Sequence, residues 1–184
     1  MTSVAVVILN YNGEKLLPHF LPSVTEFSGE ARIIVVDNGS TDSSVSLIQK
    51  SFPKVELLKF ESNLGFCGGY NAAIKMIEAE IVVLLNSDVE VTKGWVGSPV
   101  NLLKSDAGLS AIQPKILSYK NREQFEYAGA AGGFIDRLGY PLCRGRIFQT
   151  LETDSGQYND QLRIFWASGA CLIIKRERYL EAGG

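Results

Sequence analysis

Continuous apolar runs alternate with apolar residues at helical spacing through the first half of the chain. Ser3 to Leu9 is an unbroken run rich in β-branched residues, the pattern of a strand covered on both faces. It stops at the turn cluster Asn10-Tyr11-Asn12-Gly13. Leu16, Leu17, Phe20, Leu21 and Val24 then recur at helical spacing, and Pro18 and Pro22 predict that this helix is short or kinked. Arg32 to Val36 reads as a second buried strand ending at Asp37. Thr41 or Asp42 is placed to cap a helix with Val45, Ile48 and Phe52 on its apolar side. Val55 to Phe60 is a third strand, and a glycine-rich loop from Asn63 to Gly69 leads into a helix running to about Ala79. Ile81 to Leu85 is a fourth strand. It ends at Asn86-Ser87-Asp88, with a helix expected to begin near Thr92. This order predicts an α/β chain, a mostly parallel sheet with helices on both faces.

The second half is less regular. Gly108 to Leu117 reads as a strand, Glu126 to Arg146 as glycine-rich with scattered aromatics, and the polar stretch Thr150 to Asp160 as a mobile loop. Leu162 to Phe165 and Ala170 to Ile174 are strand-like on either side of Ser168-Gly169, and a last helix starts near Lys175. With no internal repeat or linker, residues 1–184 are expected to form one domain.

Chemistry enters at the strand ends. Ligands of open α/β sheets bind outside the carboxyl ends of the strands. Those ends carry Asn10 and Tyr11, then Asp37 and Asn38, then Asn63, then Asn86 and Asp88. Asp88 leaves a buried strand for the rim. A divalent cation that also has phosphate ligands needs only one or two protein carboxylates. Equally, Asp88 could cap the next helix or make a turn. Glu90 could be a second carboxylate or could face solvent. Asp37 could accept a ribose hydroxyl or a base N–H, or could begin an Asx-turn in which Gly39 takes the left-handed position. Tyr11 could stack on a nucleobase or pack on the sheet edge. The loop Asn63 to Gly69 could turn backbone N–H groups toward a phosphate.

Composition narrows the classes. The 184 residues are 46% apolar and 21% charged, ordinary for a globular protein, and the net charge of −2 gives no reason to expect a nucleic-acid partner. No apolar run approaches the ~20 residues that span a bilayer. Without a signal-like N-terminus either, the expected location is cytoplasmic. Cys67, Cys143 and Cys171 form no CxxC pair and suit reduced thiols. The Walker lysine is missing from the glycine-rich loop and no GxGxxG follows the first strand, which argues against a P-loop enzyme and a dehydrogenase. The only histidine, His19, reads as a solvated surface residue, and no GxSxG supports a hydrolase.

The segments VVILNYNG, IIVVDNGSTD, SNLGFCGGYNAAI and IVVLLNSDVEV resemble, in order, successive motifs of family 2 glycosyltransferases with the GT-A fold. AGAAGGFIDRLG and FWASGACLIIKRERYLEAGG are similar to the family's rhamnosyltransferase-like bacterial branch. The resemblance implies a three-layer, nucleotide-binding sandwich, with residues 1–92 as the nucleotide-binding half and 93–184 as the start of the acceptor-side half. It implies that Asn10 and Tyr11 meet the nucleobase, that Asp37 bonds the base or ribose, and that Asn63 and Gly65 lie against the nucleotide, with Asn71 opening the next helix. Asn86-Ser87-Asp88 resembles the DxD motif with Asn in the first place, leaving Asp88 as the ligand of Mg2+ or Mn2+ and Asn86 as a contact to ribose or sugar. Ser168, Gly169 and Ala170 resemble a segment shaping the acceptor side.

The implied reaction moves a sugar from a nucleoside-diphosphate sugar to the hydroxyl of a saccharide or lipid-linked acceptor, with inversion. Such work serves polysaccharide or glycolipid synthesis, with the protein peripheral at the inner face of the membrane. The implied general base lies in an acidic motif beyond Gly184, so no catalytic residue is expected within the chain, which is expected to be inactive by itself. Two competing classes are a nucleotidyltransferase, which usually has an Arg/Lys-bearing loop after the first strand, and a nucleotide-binding module without turnover.

Overall fold

The computed structural model describes residues 3–184. In chain order the first half is β1 (Val4–Asn10), α1 (Leu17–Phe27), β2 (Arg32–Asn38), α2 (Ser44–Ser51), β3 (Glu56–Phe60), α3 (Gly65–Met76) and β4 (Ile81–Asn86). The second half is α4 (Gly97–Ser105), β5 (Ala111–Ile112), β6 (Gly133–Ile135), β7 (Pro141–Cys143), β8 (Arg146–Ile147), β9 (Thr150–Leu151), β10 (Cys171–Lys175) and α5 (Arg176–Glu181).

The main sheet has the order β3-β2-β1-β4-β10-β5. Its first four strands are parallel; β10 runs antiparallel to β4 and to β5. This is the mostly parallel α/β sheet expected. Alternation along β1 divides its side chains between two faces. Val6 and Ile8 join Leu17, Leu21 and Val24 of α1, Ile48 of α2 and Leu103 of α4 on one side. Ala5 and Val7 join Tyr70, Ala73 and Ile74 of α3 and Tyr179 of α5 on the other. The unbroken apolar runs are unbroken because both faces are covered. Cys171 lies in this core, where burial pushes its thiol up to about 12, so it stays neutral and acts as an apolar side chain.

Several boundaries differ from the sequence reading. The second strand runs on to Asn38, and α1 extends for 11 residues through Pro22. The segment Asn63 to Gly69 is a loop only as far as Leu64: α3 begins at Gly65 and stops at Met76. Gly69 lets that helix sit against β1, because a Cβ there would come within 2.7 Å of the Leu9 side chain. The helix placed near Thr92 begins at Gly97, and Gly108 to Leu117 contributes only the two-residue β5.

The glycine-rich stretch hides a second sheet, an antiparallel meander β6-β7-β8-β9. Phe125, Ala130, Ala131 and Cys143 form its core with Trp166, whose ring N–H donates to the Phe134 carbonyl at 2.9 Å. Leu162 to Phe165 forms no strand, although the Phe165 N–H donates to the Gly133 carbonyl at 2.8 Å. The polar stretch from Thr150 opens with β9 and is tied down by Lys115, which pairs with Asp154 at 2.5 Å and donates to Asn159 at 2.7 Å.

Leu85 sits fully buried on β4 between β1 and β10, the strand where early and late parts of the chain meet. Leu85→Ala should cost about 2–5 kcal/mol, measured by urea unfolding. A loss below 1 kcal/mol, as at a site that collapses or is exposed, would show that this strand is not central to the core.

Candidate functional site

The register places the polar ends of the four parallel strands side by side. Asn10 of β1 is opposite Asp37 of β2, Leu9 is opposite Asn86 of β4, and Asn38 is opposite Phe60 of β3. Two layers of buried polar side chains bind the ends of β1 and β2 and the loop after β3. In the first, Asp37, only 3% exposed, accepts hydrogen bonds from Asn10 Nδ2 at 3.2 Å and from the Ser40 N–H at 3.1 Å. The turn that brings Ser40 back needs Gly39 in the left-handed region, with φ +76. A Cβ there would also lie 2.7 Å from the Ser62 backbone, so the position requires glycine twice over. In the second layer, buried Asn38 donates to Asn63 Oδ1 at 3.0 Å and to the Gly65 carbonyl at 3.1 Å, and accepts from the Leu64 N–H at 3.0 Å.

The loops beyond the strands are laced just as closely. Asn12, at φ +53, accepts from the Thr41 N–H at 2.8 Å and donates its own N–H to Ser40 Oγ at 2.9 Å. Glu14 and Asp42 exchange bonds across the gap: the Glu14 N–H donates to Asp42 at 2.9 Å and the Ser43 N–H donates to Glu14 at 2.9 Å. Asp42 also accepts from the Ser44 N–H and hydroxyl at the start of α2. Asn38 was placed at this rim by the sequence, but Ser40, Asn12, Glu14 and Asp42 were not singled out as binding it. The Asx- and Ser-rich string Asp37 to Ser44 was the signal available.

On this frame Tyr11 is half exposed, at 51%, and Asp88 is exposed. Asn86 is half-buried, and its N–H donates to the Ala170 carbonyl at 3.0 Å. The structure therefore brings the segment after Ser168 against the end of β4. Gly169 lies beside Phe66 at the start of α3, 3.3 Å from where its Cβ would be. Ser168 is buried and its N–H donates to Gln113 Oε1 at 2.6 Å. Asn71, within α3 rather than at its start, accepts from the Tyr179 hydroxyl at 2.5 Å. His19 is exposed in the first turn of α1.

Glu90, the other carboxylate considered near Asp88, is engaged in an ion pair. Arg122 donates to both its oxygens, at 2.7 and 2.8 Å, whereas Asp88 has no such partner among the described residues. The five ion pairs among the described residues leave Asp88 free. No group of three His, Cys, Asp or Glu side chains gathers among the described residues. The donor set therefore does not fit an all-protein cage. It fits a Mg2+ or Mn2+ ion held by one carboxylate and otherwise by diphosphate oxygens and water. A cavity of about 580 Å3 opens at the opposite edge, around Val4, Phe27, Arg32 and Val100, but Arg32 is committed there to Glu56 at 2.8 Å. The convergent polar groups are at the carboxyl rim, and we place the site there.

The Glycosyl transferase family 2 model matches residues 5–178, and the chain belongs to that family. It is 24% identical over 202 residues to N-acetylglucosaminyl-diphospho-decaprenol L-rhamnosyltransferase of Mycobacterium tuberculosis, covering 100% of this chain and 65% of that enzyme. A mannosyltransferase from Pyrobaculum calidifontis, solved with GDP-Man and Mn2+, superposes with a TM-score of 0.67 at 19% identity, covering 100% of this chain and 47% of that one. Residues 1–349 of Staphylococcus aureus TarS give a TM-score of 0.58 at 22% identity, covering 73% of this chain and 41% of that one. The fold is thus the GT-A type, and the chain spans less than two thirds of each of these proteins.

The network carries its own pH dependence. Burial works against the charge on Asp42, but hydrogen bonds from the Ser44 hydroxyl and the Glu14 and Ser44 N–H groups outweigh it and hold the carboxyl below its ordinary value. Unfolded, it titrates near ~3.9, so its contribution is complete above that pH and is lost as pH falls through the lower folded value. Asp42→Asn should therefore flatten the decline in stability below about pH 4, read from urea unfolding across the acid range. An unchanged acid slope would remove Asp42 from the linkage.

Proposed function

We propose that this chain carries the donor-binding part of an inverting glycosyltransferase. The reaction moves a sugar from a nucleoside-diphosphate sugar to an acceptor hydroxyl of a saccharide or lipid-linked substrate. It serves bacterial polysaccharide or glycolipid synthesis at the inner face of a membrane. The observation that carries the reading is the carboxyl rim: the ends of β1 and β2 and the loop after β3 are cross-linked through buried Asn10, Asp37 and Asn38, with Tyr11 and Asp88 left exposed at the same rim. The family membership and the two named transferases support it.

In this reading Tyr11 stacks on the nucleobase, and Asp37 offers its spare lone pairs to the base or ribose. Asn10 and Asn63 fix the loops beneath the nucleotide, and the Gly65 backbone faces it. Asn86 bonds the ribose or sugar. Asp88 holds a Mg2+ or Mn2+ ion, which as a Lewis acid would neutralise charge on the departing diphosphate. The chain's own contribution is preorganisation: the rim's hydrogen bonds are made before the donor arrives, so little ordering cost attends binding. No helix among the described residues is long and apolar enough to cross a membrane, so any membrane association rests on surface contacts or on other parts of the protein.

Two substitutions separate the roles. Asp88→Ala should remove the Mn2+-dependent part of nucleoside-diphosphate binding and leave melting unchanged, by calorimetric titration with and without the ion. Equal Mn2+-dependent affinity in variant and parent would remove Asp88 from the site. Asp37→Ala loses hydrogen bonds to a charged group worth ~1.5–3 kcal/mol, and should weaken nucleoside diphosphate and sugar-linked donor alike by roughly 10- to 100-fold. Weakening confined to the sugar-linked donor would move Asp37 away from the nucleoside.

A further inference from the structure

The second sheet ends in two apolar fingertips. In the meander β6-β7-β8-β9, the β6–β7 turn and the β8–β9 turn lie at one end and the β7–β8 turn at the other. The β7–β8 end is anchored: Cys143 and Gly145 are buried, Gly145 against Phe125, and the Arg144 N–H donates to the Gly132 carbonyl at 3.1 Å. The opposite end projects. One tip carries Leu138 and Tyr140, 72% and 65% exposed; the other carries Ile147 and Phe148, 67% and 87% exposed. Neighbouring hairpins in such a sheet stand about two strand spacings, ~10 Å, apart, so the four side chains belong to one surface.

Phe148 is the telling residue. It is the first residue of a two-residue turn at φ +50, where asparagine or glycine is the ordinary choice and a bulky side chain is strained. Turn chemistry therefore does not account for it, and neither does packing, since it is nearly fully exposed. A strained residue kept in place is a pointer to use. The charge around it is also biased. Arg137 and Arg146 have no carboxylate partner among the described residues. Asp136 is occupied by the Leu138 and Tyr140 N–H groups at 2.8 and 2.9 Å. The tips are thus net positive, two arginines against one aspartate, on a chain whose net charge is −2.

We propose that these two tips dock the protein on an anionic lipid surface, with Leu138, Ile147 and Phe148 entering the headgroup boundary and Tyr140 and Arg137 at its polar depth. Two convex turns offer little flat area for a protein partner, whose stable interfaces need about 800 Å² a side. A bilayer yields around such projections, and it rewards apolar area together with basic charge. Tyrosine and arginine suit the wet boundary. The proposal gives the membrane-facing reading above a physical contact, and it rests on that reading only for its purpose.

The test is flotation of the chain with phosphatidylcholine vesicles with and without phosphatidylglycerol, beside the double variant Leu138→Ser/Phe148→Asn. The parent should float with the anionic vesicles, less so at high salt, and the variant should lose at least about tenfold in binding. Its melting temperature should hold or rise, because asparagine relieves the strain at position 148. A parent that stays unbound, or a variant that binds as well as the parent, would overturn the proposal. So would a parent dimer in sedimentation that the variant dissolves, which would make this end an interface between copies. Donor titration without vesicles reads the nucleotide site alone, so failure there and failure here are told apart.

Discussion

A carboxylate and two amides buried where parallel strands leave a sheet call for partners, and the rim of this protein is built around that requirement, with the Asn10 amide oxygen left unpaired. An ionised group taken out of water costs several kcal/mol unless donors surround it. Asp37 finds them in the Asn10 amide on the adjacent strand and the Ser40 N–H three residues on. The second donor forces the chain to double back at once, which only a left-handed glycine at 39 allows. Once Ser40 has returned, its hydroxyl captures Asn12, and Asn12 captures Thr41. One satisfied carboxylate thereby fixes two loops. Asn38 repeats the device one strand further out, binding the Asn63–Gly65 segment.

The other wall of the cleft comes from far along the chain. β10 enters the sheet beside β4 in the antiparallel sense, so its approach rather than its exit lies at the carboxyl rim. The residues just before it, Gly169 and Ala170, are thereby delivered to Phe66 and Asn86. A parallel strand at that place would have put its leading loop at the opposite edge. The reversal of direction lets a late segment reach the site formed by the first four strands.

The parallel core was legible because both faces of its strands are covered, so each reads as a continuous apolar run with a polar stop. The polar stops were legible as candidates for the same reason: side chains that end a buried strand must emerge at one rim. What each does there was not, because pairing of Asn10 with Asp37, or Asn38 with Asn63, depends on strand order and register. Glu90 shows the same limit. Its partner Arg122 lies 32 residues on, beyond any local pattern. The start of α3 was missed because glycines at 65, 68 and 69 read as loop, whereas Gly69 is needed within the helix for close approach to Leu9. The second sheet escaped altogether, since strands of two or three residues are too short for any periodicity.

The contrast between Glu90 and Asp88 bears on how a single carboxylate could serve a cation site. An exposed ion pair is worth little, about 0–1 kcal/mol, so the Arg122 fork contributes modestly to stability. An arginine free to swing would compete for Asp88 as a fixed counter-ion, and any metal would first have to displace it. Both of Arg122's carboxylate-facing nitrogens are instead committed to Glu90, and its guanidinium packs 5.3 Å from the Tyr119 ring centroid. Asp88 is left with its charge exposed and uncompensated among the described residues. A lone carboxylate of that kind binds a bare divalent ion weakly, since most of the ion's shell stays water. It binds strongly only when a diphosphate supplies the remaining oxygens. For the cation site proposed above, weak affinity for the ion alone would tie metal capture to the arrival of a diphosphate-bearing ligand.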